Sequence, residues 1–516
     1  VATHLQDDFK IKPGERVVLC YTFSLDFIQA FLGCLVAGIV PVPIYPPNPA
    51  RLSYRFTMTH IIDNSQARLV LSHRDFTRHV WKMKIKLGDD WPSIRFVNTD
   101  KIKLGTFESL LPHPDLAFLQ YTSGSTGDPK GVMVSHTNLI HNIKYNNLCG
   151  QRRYRALQKN TEISFYDIRA LNWVPQYHDM GLIAAYLQIL YMGGRGHFMS
   201  PFSFLRSPSV WLHSAWRYNC NSSSAPNFAF DLVVRKWHNR PVPDGFSLKE
   251  LDLIGSGGEE NQRETFEKFE KYFAKYGLRK NIIMSFYGMA EHTLTINADH
   301  CHPERCYSKR DPRRVCCGVF DSETRAQVRC RIVDPDTCQV VGDGQEGEIW
   351  LQSRSVALGY WGNQDKTRKV FKGIIASSPG IFDSKEKENG GCWLRTGDIG
   401  YMEADRLYFV SRKKDLIIIR GRNYSPRDLE SSVDTVPGVR PGCTVVFSVS
   451  KNGSEHAVVV SEIRSKSELK KLDLGFQEIA SNIKLAITLA SGVNISDVVL
   501  IKSKSIPKTS SGKLRR

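Results

Sequence analysis

Tyr121-Thr-Ser-Gly-Ser-Thr-Gly-Asp-Pro-Lys-Gly131 is the stretch on which the reading of this chain turns. Its Ser and Thr hydroxyls, interleaved with glycines, let side-chain and backbone donors come close to phosphate oxygens, and Lys130 adds a positive charge. It is not a Walker A loop, because Gly-Lys-Ser/Thr never occurs at the required spacing. A flexible Ser/Gly linker is the competing reading. The flanks weigh against it: Leu116 to Gln120 reads as an apolar strand, and Gly131 to Ile140 as a strand passing into a helix.

Outward from the loop, strand-like and helix-like patterns alternate, which points to an α/β class. Arg16 to Tyr21 reads as a buried strand after the turn signal Pro13-Gly14, and Leu25 to Val40 comes next with helical spacing. Pro41 to Pro49 carries five prolines in nine residues and must be extended or turned. Ala67 to Ser72 reads as a strand, Glu264 to Tyr276 as an amphipathic helix, and Asn281 to Tyr287 as a strand. From about Cys330 onward, Arg331 to Val333, Gly347 to Leu351 and Arg406 to Val410 look like strands separated by turns. A charged break at Ser411 to Lys414, before the apolar strand Leu416 to Ile419, is the expected boundary. It divides a large multi-subdomain α/β domain, residues 1–412, from a small mobile α/β domain, residues 413–516.

Composition narrows the function classes. The 516 residues are 41% apolar and 24% charged, ordinary globular usage, and the longest apolar stretch, Phe31 to Val40, falls short of the roughly 20 residues a spanning helix needs. A soluble chain without a transmembrane segment is expected. The formal charge of +18 favours acidic partners such as nucleotide phosphates, an acidic carrier protein or an anionic surface. No nucleic-acid signature accompanies it, so no nucleic-acid partner is expected. Twelve cysteines in so long a chain do not suggest a disulfide scaffold, and a cytoplasmic or other reduced intracellular compartment is expected. Cys301, Cys306, Cys316, Cys317, Cys330 and Cys338 crowd one stretch with His300 and His302. A zinc site is conceivable there, but the paired C-x-x-C spacing is missing and free thiols are expected.

Further motifs come after the loop in order: Tyr287-Gly-Met-Ala-Glu291, Leu394-Arg-Thr-Gly-Asp398, Ser411-Arg-Lys-Lys-Asp415 and Pro507-Lys-Thr-Ser-Ser-Gly-Lys513. Together they resemble the adenylate-forming superfamily of acyl-CoA synthetases, luciferases, peptide-synthetase adenylation domains and fatty acyl-AMP ligases. The resemblance covers nearly the whole chain. It implies that Thr122, Ser123, Gly124, Ser125, Thr126, Gly127 and Lys130 meet the phosphates of ATP. Phe286, Tyr287, Gly288, Met289 and Ala290 would wall the nucleotide, with Tyr287 offering a flat face to adenine, and Glu291 would supply an oxygen ligand for Mg²⁺. Asp398 and Arg412 would meet the ribose, and Lys414 falls at the hinge about which the small domain turns. Lys513 would stabilise charge developing between the acyl carboxylate and the α-phosphate. The family usually has Gly where this chain has Ser411.

Two more segments bear on the substrate. Ser256, Gly257, Gly258 and Glu259 resemble the segment lining the nucleotide and the acyl entrance, and Pro226 is implied as a substrate contact. Trp173-Val-Pro-Gln-Tyr-His-Asp-Met-Gly-Leu182 resembles the acyl-pocket motif of fatty acyl-AMP ligases, with Tyr177, Met180 and Gly181 at the acyl chain. His178 is implied to orient the carboxylate, although a buried structural histidine is the alternative.

Tyr45-Pro46-Pro47, Arg420-Gly-Arg-Asn423, Ala290 and the polar insertion Lys372 to Cys392 all resemble fatty acyl-AMP ligases more than CoA ligases. The expected activity is ATP- and Mg²⁺-dependent conversion of a fatty acid to acyl-AMP, then transfer to the phosphopantetheine thiol of an acyl carrier protein or carrier domain. The chain ends directly after the Lys513 motif, which reads as excision from a larger multidomain chain. An acyl-CoA ligase, a non-catalytic fatty-acid or nucleotide sensing module, and an amino-acid adenylation domain using Asp231 remain as alternatives.

Overall fold

The computed structural model describes residues 1–46, 52–78, 80, 93–102, 114–122, 128–156, 167–299, 307–376, 391–419, 422–451, 454–508 and 514. The first sheet is built from four parallel strands, β1 (Arg16–Leu19), β2 (Val40–Pro43), β3 (Val70–Ser72) and β4 (Phe96–Asn98), in the order β2-β1-β3-β4. Parallel neighbours require a crossover, and helix α1 (Asp26–Val36) supplies the one between β1 and β2, burying Phe27, Ala30, Phe31 and Cys34. Pro41 and Pro43 lie in β2 at the sheet's edge, where a missing N–H is tolerated.

The two ends of the stretch Tyr121 to Gly131 lie on paired strands. Strands β5 (Leu116–Thr122) and β6 (Lys130–Ser135) pair antiparallel, with Thr122 opposite Lys130 at the mouth of the loop. Residues 123–127, and with them Ser123, Gly124, Ser125, Thr126 and Gly127, lie outside the described residues. Helix α2 (His136–Ala156) succeeds β6, started by reciprocal bonds: Ser135 N–H donates to Asn138 Oδ1 at 2.9 Å and Asn138 N–H to Ser135 Oγ at 3.0 Å.

The second sheet comprises β7 (Arg169–Asn172), β8 (Arg195–Phe198), β9 (Ser222–Ser224), β10 (Leu253–Ser256), β11 (Ile283–Gly288) and β12 (Thr295–Ala298), in the order β12-β11-β10-β9-β7-β8. Only β12 is antiparallel to its neighbour. Helices α3 (Asn227–Lys236) and α4 (Arg263–Phe273) cover it. In α4, Phe266, Phe269 and Phe273 recur at helical spacing and meet Trp211, Phe230 and Trp237 in one buried aromatic cluster. The expected helix to Tyr276 ends in a 3₁₀ turn, Ala274–Tyr276, closed by Gly277 at φ +81°.

The third sheet is antiparallel, in the order β13-β17-β16-β15-β14, from β13 (Gly318–Val319), β14 (Val328–Val333), β15 (Gly347–Ser353), β16 (Leu394–Glu403) and β17 (Arg406–Arg412). The strand expected to end at Val410 runs on: β17 continues through buried Ser411 to Arg412, because both still pair with β16, and a 3₁₀ turn Lys413–Asp415 comes after it. Cys316, Cys317, Cys330 and Cys338 fall in separate places, Cys316 and Cys317 in different apolar clusters, Cys330 against one of these and Cys338 against a third. Cys301, Cys306, His300 and His302 lie outside the described residues.

Beyond Asp415 come the hairpin β18 (Ile417–Ile419) and β19 (Arg422–Tyr424), and helix α5 (Pro426–Val433). The sheet β20 (Val439–Lys451), β21 (Ser454–Ile463) and β22 (Ile495–Ile501) completes the chain with helix α6 (Phe476–Ser491). They share a core of their own in which Ile479, Ile483 and Ile487 of α6 meet Leu429, Val433, Val446 and Val459. Buried Arg314 ties this unit to the rest, pairing with Glu260 and, at 2.5 Å, with Asp428 of α5. Among the described residues no helix is long and apolar enough to cross a membrane.

Candidate active site

The ends of the second sheet, the β5–β6 pair, the middle of β16 and the first residues after β17 surround one cleft of about 1790 Å³. Asp398 lies on this cleft within β16, where Thr396-Gly397-Asp398 forms an irregularity in its pairing with β15. Gly397 takes φ +72°, its N–H donates to Glu348 Oε1 at 3.0 Å, and Asp398 N–H donates to Thr396 Oγ1 at 3.1 Å. The Asp398 carboxylate thereby faces two donors: Tyr287 O–H reaches Oδ2 at 2.8 Å and Arg412 Nε lies 3.6 Å from Oδ1. Burial raises the Asp398 pKa against the opposing pull of Arg412 and Tyr287, while Asp398 holds the Arg412 pKa up. Burial and the neighbouring carboxylate push the Tyr287 phenol well above its ordinary value.

Glu291 sits on the same cleft in a 3₁₀ turn, Ala290–His292. Its Oε1 accepts from Tyr360 O–H at 2.8 Å, and the Lys130 ammonium lies 5.8 Å from the Tyr360 ring centroid. Lys130 has its pKa lowered to about 8, first by burial and then by Lys366, with Glu291 opposing. Phe286, Tyr287, Gly288, Met289 and Ala290 form one continuous wall. Gly288 is required there, since a Cβ would come within 2.2 Å of Leu294 O.

Gly257, Gly258 and Glu259 line the cleft. Ser256 does not: it is buried and donates to Asn261 Oδ1 at 2.7 Å. Glu259 has a structural use, its Oε1 accepting from Phe228 N–H at 2.6 Å in the first turn of α3. Pro226 precedes that helix and is not on the cleft wall.

From the acyl motif the structure brings Tyr177, His178 and Met180 to the cleft. Gln120 Nε2 donates to Tyr177 O at 3.0 Å, and His178 Nδ1 lies 2.5 Å from Asp179 Oδ1. Asp179 also caps the next element by accepting from Met180 N–H at 2.7 Å. That element is a π-helix, Met180–Leu187, a form that periodicity does not reveal and that recurs at functional sites. Gly181 faces away from the cleft, packed on the preceding turn where a Cβ would meet Pro175 O at 2.0 Å. Met180, Ala184, Gln188 and Met192, four residues apart, form a strip along the cleft wall.

Asp231 is not on the wall; it pairs with Lys268 at 2.7 Å and Arg235 at 2.6 Å. It is therefore not placed to meet an α-amino group in the cleft. Lys414 lines the cleft, its pKa lowered by partial burial. Lys513 lies outside the described residues, between Lys508 and Leu514, which both line the cleft. Among the described residues no group of three His, Cys, Asp or Glu side chains is disposed to hold a metal ion alone. Tyr360 and Gln120 belong to the site although no sequence motif singled them out.

Residues 1–361 match the family described as AMP-binding enzyme. Over its full length the chain is 34% identical to the medium-chain-fatty-acid–(acyl-carrier-protein) ligase JamA of Moorena producens and covers 86% of it. Over 98% of the chain it is 31% identical to the long-chain-fatty-acid–AMP ligase FadD26 of Mycobacterium marinum, again covering 86% of that protein. The crystal structure of a fatty acid AMP ligase from Legionella pneumophila superposes with a TM-score of 0.68, at 32% identity, over 100% of this chain and 87% of that one.

Proposed function

The chain belongs to the AMP-binding enzyme family, and we propose that it is a fatty acyl-AMP ligase. It activates a fatty acid with ATP, releases pyrophosphate, and passes the acyl group to the phosphopantetheine thiol of a carrier protein. One observation carries this reading: a buried, doubly supported Asp398 and a cleft-facing Glu291 share one cleft with the strip from Met180 to Met192.

Asp398 accepts the ribose hydroxyls, where a carboxylate binds more strongly than a neutral group. Tyr287 and Arg412 hold it in place. A fatty acid is already ionised at neutral pH, so no base is needed, and His178 serves to orient the carboxylate. The carboxylate attacks the α-phosphorus in line, the bond to pyrophosphate breaks, and acyl-AMP forms. Lys130 and the hydroxyls of residues 122–127 hold the leaving phosphates, and Lys513 meets the charge that develops between carboxylate and α-phosphate.

The donor set fits Mg²⁺. Glu291 Oε1 is engaged by Tyr360 while Oε2 accepts from no described residue, and one carboxylate with substrate phosphates is a usual Mg²⁺ environment. Bound there, the ion would neutralise phosphate charge. Residues 1–412 form the large domain in this reading, and residues 413–516 turn about Lys414 to admit the thiol, which attacks the acyl carbon and releases AMP.

A CoA ligase would share every nucleotide contact. Purified protein given ATP, Mg²⁺ and fatty acids of graded length should accumulate acyl-AMP, with little acyl-CoA when CoA is added. Absence of acyl-AMP at every chain length would refute the reading.

A further inference from the structure

Tyr360 joins the two parts of the phosphate side of the cleft. Its O–H donates to Glu291 Oε1 at 2.8 Å; its buried ring packs edge-on against Phe371, centroids 5.2 Å apart, and lies 5.8 Å from Lys130 Nζ. The segment leading to it is pinned on both sides. Toward β6, Leu358 N–H donates to Met133 O and Met133 N–H to Gly359 O, both at 2.9 Å, and Trp361 N–H donates to Gly131 O at 2.8 Å. Toward the Glu291 turn, Ala357 N–H donates to Glu291 O at 2.9 Å, and Ser355 O accepts from Thr293 Oγ1 at 2.8 Å. Thr293 stands at φ +65°, a conformation costly for a β-branched residue, and these bonds hold it there.

We propose that Tyr360 is a positioning residue that fixes the Glu291 carboxylate for its metal ion and sets its place relative to Lys130. The proposal rests on the assignment of Glu291 as the Mg²⁺ ligand. An unrestrained glutamate beside an ammonium would swing onto it. A phenol donates one proton to one oxygen, so it locks the carboxylate and leaves Oε2 for the ion. Being neutral, it adds no competing charge. Mg²⁺ demands near-octahedral geometry, so a ligand held in one orientation favours its binding.

The test uses Mn²⁺ as a spectroscopic substitute and the non-reactive α,β-methylene analogue of ATP. Electron paramagnetic resonance then measures Mn²⁺ binding to the full chain. Tyr360→Phe should weaken Mn²⁺ binding about tenfold. Metal-free nucleotide affinity should stay within a factor of two or so, and kcat should recover at saturating Mg²⁺. Thr367→Val, which removes the hydroxyl accepting from Tyr360 N–H at 2.9 Å, should weaken Mn²⁺ binding in the same direction. The double variant Glu291→Gln/Tyr360→Phe should be no weaker than Glu291→Gln alone, because Tyr360 acts through Glu291. Unchanged Mn²⁺ binding in Tyr360→Phe, or losses that simply add in the double variant, would overturn the proposal. Wild-type binding in Glu291→Gln would instead remove the Glu291 assignment itself, a result separable from a failure of Tyr360 alone.

Discussion

Asp398 and Arg412 face each other across neighbouring strands of the third sheet, with Arg412 Nε 3.6 Å from Asp398 Oδ1. Asp398 is buried while the Arg412 side chain is 50% exposed, so the pair presents an anchored carboxylate from below and a solvated cation at the rim. In the proposed reading both groups meet the ribose, the carboxylate accepting from its hydroxyls and the guanidinium donating to its oxygens.

Asp398→Ala should weaken ATP binding by about tenfold or more, through loss of charge-assisted contacts. Its effect on folding runs the other way. Because burial raises the folded-state pKa, ionising Asp398 costs stability as pH rises through that value, so Asp398→Asn should leave the neutral-pH Tm unchanged or raised. Calorimetric titration with ATP and thermal unfolding of both variants check this. Wild-type ATP affinity in Asp398→Ala would show that the nucleotide lies elsewhere.

Lys513→Ala should lower single-turnover acyl-AMP formation by roughly 10²–10³-fold and leave ATP affinity within a few-fold, since its charge acts in the transition state. Rapid-quench measurement of labelled acyl-AMP reads this directly. An unchanged rate would take Lys513 out of the chemistry.

His292 makes acid stability testable. It is fully buried, its Nδ1–H donates to Thr295 O at 3.0 Å and its Nε2 accepts from Ser353 Oγ at 2.9 Å, a neutral tautomer assigned from these partners. Burial, first, and His141 lower its pKa to about 3. Below pH 6.5 the unfolded chain binds a proton that the folded chain refuses. Stability should therefore fall as pH drops from about 6.5 toward 3, by up to about 1.4 kcal/mol per pH unit from this group. Urea unfolding between pH 7 and 4 should show a shallower slope for His292→Gln than for wild type; equal slopes would assign the acid sensitivity to other groups.

Motif order made the site legible where the backbone demands a residue type. Thr396-Gly397-Asp398 needs a glycine at positive φ, so its letters announce its shape. Other glycines mislead: Gly181 and Gly288 both exist for close packing, yet only Gly288 lies on the cleft. Tyr360 could not be found by spacing, because 69 residues separate it from Glu291 and only the folded sheet brings them together. The strand ends shifted by up to three residues, as at Val70 and Val328, for the usual reason that fraying and pairing set boundaries more than composition does. The strand read as Arg406 to Val410 runs on to Arg412 because β16 supplies partners that far.

The polar insertion from Lys372 to Cys392 bears on the acceptor. Residues 377–390 lie outside the described residues, but the feet are anchored. Gly373 and Trp393 exchange two backbone bonds, at 2.9 and 2.8 Å, Ala376 N–H donates to Cys338 O at 2.8 Å, and Ile375 is buried with Val333, Trp350 and Trp393. If the insertion between these feet packs against the large domain, it should restrict the proposed rotation of residues 413–516 while the nucleotide contacts remain. Packed elements favour discrete arrangements, so such an obstruction would stall the enzyme as acyl-AMP when only free CoA is offered. Deleting residues 377–390 should then leave adenylation within a few-fold of wild type, because the anchoring residues remain, and should permit measurable acyl-CoA. If the insertion has no bearing on acceptor choice, the deletion changes neither product. Mass spectrometry of products from intact and deleted chains separates the cases, and abundant acyl-CoA from the intact chain would show that the insertion blocks nothing.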